Sequence, residues 1–159
     1  MTSMIIHSAI QGTQEWHELR AKYDTASEAP VMMGASKNMK RNELLFAKHT
    51  GLTKDIHWWV QKFLFDRGHD AEAAARPIAE KIIGKDLYPV TVSNGRLLSS
   101  LDGRILNGAS IWEHKLWNEL LAAAIREKNL DPHYYWQLEQ QLYSSGAERV
   151  MFMCSDGTE

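Results

Sequence analysis

Asn94-Gly95 lies between two runs of β-forming residues and fixes the local topology in the middle of this 159-residue chain. An Asn-Gly pair favours the tight turn whose two positive φ angles match the right-handed twist of paired strands. Residues 87–92 (Leu-Tyr-Pro-Val-Thr-Val) and 96–101 (Arg-Leu-Leu-Ser-Ser-Leu) therefore read as an antiparallel hairpin. A second turn, from Asp102-Gly103 to Asn107-Gly108, leads into a third strand over 109–115. There the two-residue period puts Glu113 and Lys115 on one face and His114 on the other. Residues 149–154 predict a fourth strand, and the turn-like Ser155-Asp156-Gly157-Thr158-Glu159 after it calls for a returning strand. The chain thus reads as one domain over 1–159 that lacks its C-terminal end.

On either side of the strands the period is helical. Residues 14–20 form one short helix, Thr25-Ala26-Ser27-Glu28 opens a second that ends near Gly34, and 42–49 a third stopped by Gly51. A longer pattern covers 57–83, with Trp59, Phe63, Ala71, Ala75, Ile78, Ala79 and Ile82 on one stripe and Gly68 as a possible break. Helical patterns return at 116–127 and 133–143. The expectation is an α/β (α+β) domain with a central sheet flanked by helices. Composition limits what it can do. One cysteine, Cys154, excludes an intramolecular disulfide and a cysteine-only zinc site and fits a reducing, cytoplasmic compartment. No apolar run approaches the roughly 18–20 residues needed to cross a bilayer, and the first eleven residues lack the pattern of an export signal. Eighteen basic against twenty acidic side chains give a net charge of −2, so a nucleic-acid site has to be a local patch. Arg20, Lys22, Lys37, Lys40, Arg41 and Lys48 concentrate basic charge in the N-terminal part.

The hairpin brings Asp102, Glu113 and Lys115 to one end of one sheet face. Two converging carboxylates repel unless a cation lies between them, and hard oxygen donors without a cysteine or histidine cluster favour Mg²⁺ or Mn²⁺ over Zn²⁺. Lys115 could orient or deprotonate a water, or stabilise charge developing on a phosphate. Glu-x-Lys by itself is more often an exposed ion pair worth about 0–1 kcal/mol. The combination is more specific: Ser100-x-Asp102-Gly103, then about ten residues, then an apolar-led strand ending in Glu113-x-Lys115.

That combination resembles the PD-(D/E)xK nuclease superfamily, with its restriction-endonuclease-like core built on a mixed β-sheet. The resemblance extends to the YqaJ-like viral recombinase, or lambda exonuclease, family. It rests on the stretch 14–20 (Gln-Glu-Trp-His-Glu-Leu-Arg) with Thr25-Ala26-Ser27, on Gly68-x-x-x-Glu72-x-x-x-Arg76, on the two motifs above, and on Tyr135-Trp136-Gln137. It implies metal ligation by Asp102, Glu113 and the backbone carbonyl of His114, with Glu72 as a further acidic ligand or water holder. It implies Lys115 as the catalytic lysine and Gln137 as a residue that positions the attacking water or the bound phosphate. Arg20, Ser27 and Ser100 stand where the family holds a 5′-phosphate; arginine suits this because its planar fork donates two hydrogen bonds to phosphate. The implied activity is Mg²⁺-dependent 5′-to-3′ digestion of linear double-stranded DNA ends, with Mn²⁺ as a substitute, leaving 3′ single-stranded tails for phage-type homologous recombination. The implied partners are other copies in a homotrimeric ring and a single-strand annealing protein. The same core also serves structure-selective or restriction-like endonucleases, and a non-catalytic DNA-binding module could retain the fold.

Two positions depart from the family pattern. Leu101 replaces the proline that usually precedes the first aspartate, which leaves the ligands in place. Phe63, beside Lys62, stands where a basic residue is usual. Phe63 and Phe65 fit either core packing or a wedge at a duplex end. The six tryptophans (Trp16, Trp58, Trp59, Trp112, Trp117, Trp136) read mostly as core.

Overall fold

The structure, a computed structural model, describes residues 3–51 and 58–158, with side chains at 3–51 and 65–158. In chain order the elements are β1 (Ile5–His7), α1 (Gln14–Ala21), β2 (Asp24–Thr25), a 3₁₀ turn (Ala26–Glu28), α2 (Ala29–Met32), α3 (Arg41–Thr50) and α4 (Trp58–Ile83). They continue with β3 (Tyr88–Asn94), β4 (Leu97–Arg104), β5 (Ser110–Leu116), α5 (Glu119–Arg126), α6 (Pro132–Ser145) and β6 (Arg149–Ser155). The sheet runs β1-β3-β4-β5-β6, and β2 pairs with the start of β4. It is mixed: β1, β3, β4 and β5 are antiparallel neighbours, while β6 runs parallel to β5 from Ser110↔Arg149 to Leu116↔Ser155. A parallel neighbour needs a crossover, and α5 and α6 supply it.

α4 covers one face. Its buried residues Ala71, Ala75 and Ala79 recur at four-residue spacing, and their lack of bulk lets the helix lie close to the sheet. Ala75 and Ala79 pack with Leu87, Ile105 and Trp112. α6 lies on the other face, where Val92, Leu101 and Ile111 form a second core that Leu142 extends. Asp131 caps α6 by accepting from the His133 amide, Pro132 opens it, and Gly146, at φ 68°, ends it.

β1 and β2, three and two residues long, went unread because such short runs show no period. α4 continues through Gly68, and Ile82 is exposed rather than part of the buried stripe. β5 extends to Leu116, and α5 starts only where Asn118 caps it by accepting from Leu121 N. Asp102-Gly103 belongs to β4, and the turn begins after Arg104. Val90 pairs with Leu101 but Tyr88 pairs with Arg104, so three steps on β4 oppose two on β3. This is a β-bulge at Asp102-Gly103, the irregularity that re-aims a side chain at a sheet edge or beside a site. Among the described residues no helix is long and apolar enough to cross a membrane.

Candidate active site

The bulge, the end of β5 and the middles of α4 and α6 enclose a cleft of about 360 Å³. Asp102 and Gly103 owe their placement to the way β4 and β5 part. The two strands are in register at Gly103↔Trp112 and Arg104↔Ile111. One step further the His114 amide donates to the Asp102 carboxylate at 2.8 Å, so a side chain takes over from the ladder. Gly103 makes this possible: a Cβ there would lie 3.0 Å from Leu87 Cβ and 3.2 Å from Trp112 Cε3.

Glu113 is 4% exposed and accepts three hydrogen bonds. Lys115 Nζ and Gln137 Nε2 donate to Oε1, the second at 2.8 Å, and Gln141 Nε2 donates to Oε2 at 2.7 Å. Glu72 reaches the cleft from α4, where Arg76, one turn on, donates to it at 2.9 Å. All nine residues singled out in the sequence line this one cleft: Arg20, Ser27, Glu72, Ser100, Asp102, Glu113, His114, Lys115 and Gln137.

The electrostatics follow from burial and like charge. Burial pushes the Asp102 carboxyl well above the usual carboxylate range, and repulsion by Glu113 and Glu72 adds to it; the His114 amide and Lys115 only partly oppose this. Burial also raises Glu72, against the pull of Arg76 and His69. Burial acts to lower Lys115, but the charge and hydrogen bond of Glu113, with Asp102 behind them, outweigh it and leave the pKa raised. Lys115 is therefore a charged donor at neutral pH.

The donors suit a hard cation. Asp102 is 8% exposed and is destabilised by its acidic neighbours, and a divalent ion against Asp102 and Glu113 would relieve that repulsion. Among the described residues no three His, Cys, Asp or Glu side chains form a ready-made cage. Two carboxylates, a backbone carbonyl and water are a coordination set that Mg²⁺ accepts.

At the other end of the cleft, Arg20 stacks over Trp16 with its guanidinium carbon 4.5 Å from the ring centroid. It donates to Ser27 Oγ at 2.9 Å and Thr25 Oγ1 at 3.4 Å. Burial lowers its pKa, and no carboxylate lies within ion-pair distance among the described residues; Glu28, whose charge partly offsets that lowering, pairs with Lys48 at 2.9 Å. The Trp16 indole donates to Ser100 Oγ at 2.8 Å, so the arginine, the tryptophan and both serines form one assembly. Of the six N-terminal basic residues, Arg20 alone lines this cleft, and Lys37 pairs with Asp131.

Three contributors escaped the sequence reading. Gln141 shares a helical face with Gln137, a four-residue spacing that could have signalled it. Thr25 stands in the Thr25-Ala26-Ser27 motif and opens a helix in the sequence, but its hydroxyl as an acceptor from Arg20 appears only in the fold. Trp16 is buried as expected, yet its indole N–H and ring face both serve the site. Trp112 is also core, whereas Trp117 and Trp136 are exposed. Trp58, Trp59, Lys62 and Phe63 have side chains outside the described residues. Phe65 is partly exposed and lines the cleft.

Comparison with solved structures relates the fold to two of one enzyme. The alkaline exonuclease LHK-Exo from Laribacter hongkongensis superposes with a TM-score of 0.71 at 21% identity, covering 92% of this chain and 76% of that one. The structure of LHK-Exo in complex with dAMP gives 0.70 at 20% identity, covering 89% and 73%. At this identity the likeness establishes the shared fold, the restriction-endonuclease-like core expected from the sequence. No curated protein matches the chain. The family model for the YqaJ-like viral recombinase domain matches residues 15–148, from the first helix to the residue before β6, and the chain belongs to that family.

Proposed function

We propose that this protein is a divalent-cation-dependent deoxyribonuclease that digests linear double-stranded DNA from 5′ ends and leaves 3′ single-stranded tails for recombination. The observation that carries this reading is the pairing, in one cleft, of the Asp102, Glu113 and Lys115 cluster with Arg20, an arginine that among the described residues has no carboxylate within ion-pair distance. A desolvated guanidinium flanked by two hydroxyls is a site for a phosphate dianion. Its presence beside the carboxylates fits a terminal phosphate held while the neighbouring phosphodiester is cut.

Asp102, Glu113 and the His114 carbonyl would hold Mg²⁺, or Mn²⁺ in its place, with Glu72 as a further acidic group. When bound, such an ion polarises a phosphoryl oxygen and lowers the pKa of water. The chain's own groups do the rest. Lys115 orients or deprotonates the attacking water, or donates to oxygen that gains negative charge at the phosphorus. Gln137 and Gln141 hold the Glu113 carboxylate in one orientation, and the Gln137 amide can turn to a water or to the phosphate. Arg20, with Ser27 and Ser100, fixes the strand end so that each cut starts from the same register. The reading also includes a homotrimeric ring around DNA and a single-strand annealing protein as partner; sedimentation velocity of the purified protein checks the ring.

The test is digestion, in Mg²⁺, of linear duplexes with 5′-phosphate or 5′-hydroxyl ends and of covalently closed circles, with each strand end labelled. Loss from phosphorylated 5′ ends with the circle intact is the expected result. Cutting of the circle would make the protein an endonuclease, and no cutting would leave a DNA-binding module.

A further inference from the structure

Arg76 does not line the catalytic cleft, yet it touches two of the three elements that carry an acidic residue into it, α4 and β5, and the residue that leads into β3. Its Nη2 donates to Glu72 Oε1 at 2.9 Å, within α4. Its Nη1 donates to the carbonyl of Leu87 at 3.2 Å, just ahead of β3. Its guanidinium carbon lies 5.2 Å from the ring centroid of Trp112, the residue before Glu113 on β5. Leu87 and Trp112 are also the two side chains that close over Gly103, next to Asp102. The side chain is 20% exposed, against 15% for Glu72, so neither charge is free to wander into solvent. The other cation near Glu72 is His69, at 3.8 Å and charged only when protonated.

We infer that Arg76 is a positioning residue that fixes the Glu72 carboxylate and α4 against β5, and so sets how tightly the acidic cluster takes up a divalent cation. This rests on the nuclease reading above for its catalytic consequence. Guanidinium geometry is what the role demands: one planar group donates in two directions to a carboxylate and a carbonyl while its face lies on an indole. An ammonium keeps the charge but cannot satisfy all three at once. Without the clamp, Glu72 is a half-buried carboxylate facing two others, and repulsion drives it away from the cleft.

The experiment is a double-mutant cycle of Arg76→Lys with Glu72→Gln, read in two ways: turnover on a 5′-phosphorylated linear duplex, and Mn²⁺ affinity of the DNA-free protein by electron paramagnetic resonance. Outer groups that orient a metal ligand typically change affinity or activity by about 10–100-fold. R76K is expected to lower kcat by about that factor with KM for DNA within about twofold, and to weaken Mn²⁺ binding similarly. In the E72Q background the same substitution should change neither quantity. Full kcat and Mn²⁺ affinity in R76K would overturn the inference. So would equal losses in both backgrounds, the result of a general folding defect. If the wild-type protein cuts no DNA, the nuclease reading fails, and the Mn²⁺ cycle, which needs no turnover, still decides on Arg76.

Discussion

Replacing Gly103 with alanine probes the bulge that presents Asp102. The added methyl would lie 3.0 Å from Leu87 Cβ, 3.1 Å from Leu87 Cδ2 and 3.2 Å from Trp112 Cε3. Leu87 is 3% and Trp112 1% exposed, and both are packed against Ala75, Ala79 and Ile105, so neither can move out of the way into solvent. Leu87 Cβ is fixed to the backbone, which makes the strand itself the part that has to shift. Inserting a methyl into a filled core costs about 1–3 kcal/mol. The loss of unfolded-chain freedom on going from glycine to alanine returns about 0.4–1 kcal/mol. Overpacking outweighs it over nearly the whole of these ranges, whose difference is about 0–2.6 kcal/mol, and a net destabilisation of about 1.3 kcal/mol, the centre, is expected. With a urea m-value of about 2 kcal/mol/M, that loss lowers the midpoint by roughly 0.6 M at unchanged m. Gly68→Ala is the matched control, since a Cβ there meets nothing within 4 Å inside α4. It should stabilise by about 0.5–1 kcal/mol. Urea titrations of the three proteins side by side decide the matter. Equal midpoints for G103A and wild type would refute the close-packing account of the bulge.

Asp102→Asn tests the cost of the acidic cluster. Because the folded-state pKa of Asp102 is raised, the folded protein binds more protons than the unfolded one, and its metal-free stability falls as pH rises from the unfolded value near 3.9 through the folded one. Asparagine keeps an acceptor for the His114 amide and cannot ionise, so in EDTA the variant should gain on wild type as pH rises through that window; a gain that shrinks with pH would contradict this. Lys115→Ala removes the charged donor and should abolish cutting while DNA binding persists, as a mobility-shift assay beside a digestion would show. Digestion at the wild-type rate would remove Lys115 from the active site. Arg20→Ala should bring 5′-phosphate and 5′-hydroxyl duplexes to equal rates, and an undiminished preference for the phosphate would place the anchor elsewhere.

Much of this protein is determined by local rules that the sequence displays. Asn94-Gly95 can make only a narrow set of turns, so the β3–β4 hairpin was legible. The two-residue period put Glu113 beside Lys115 before any tertiary contact was known, and four-residue spacing put Arg76 beside Glu72. The family motifs named the residues of the cleft without saying how they meet. What only the tertiary structure decided depends on contacts between distant segments. A bulge is a mismatch between two strands, and neither Tyr88 nor Arg104 carries a mark of it. The parallel pairing of β6 with β5 depends on where a crossover packs, and the order of residues 149–155 is silent on direction. β1 and β2 exist because β3 and β4 offer them edges. Gln141, Thr25 and Trp16 acquire their roles only when α6 comes over Glu113 and α1 comes against Ser100. The charge state of Lys115 was equally out of reach, because a lysine's pKa is set by what surrounds it in space. Here burial and the Glu113 carboxylate act on it in opposite directions, and the carboxylate prevails.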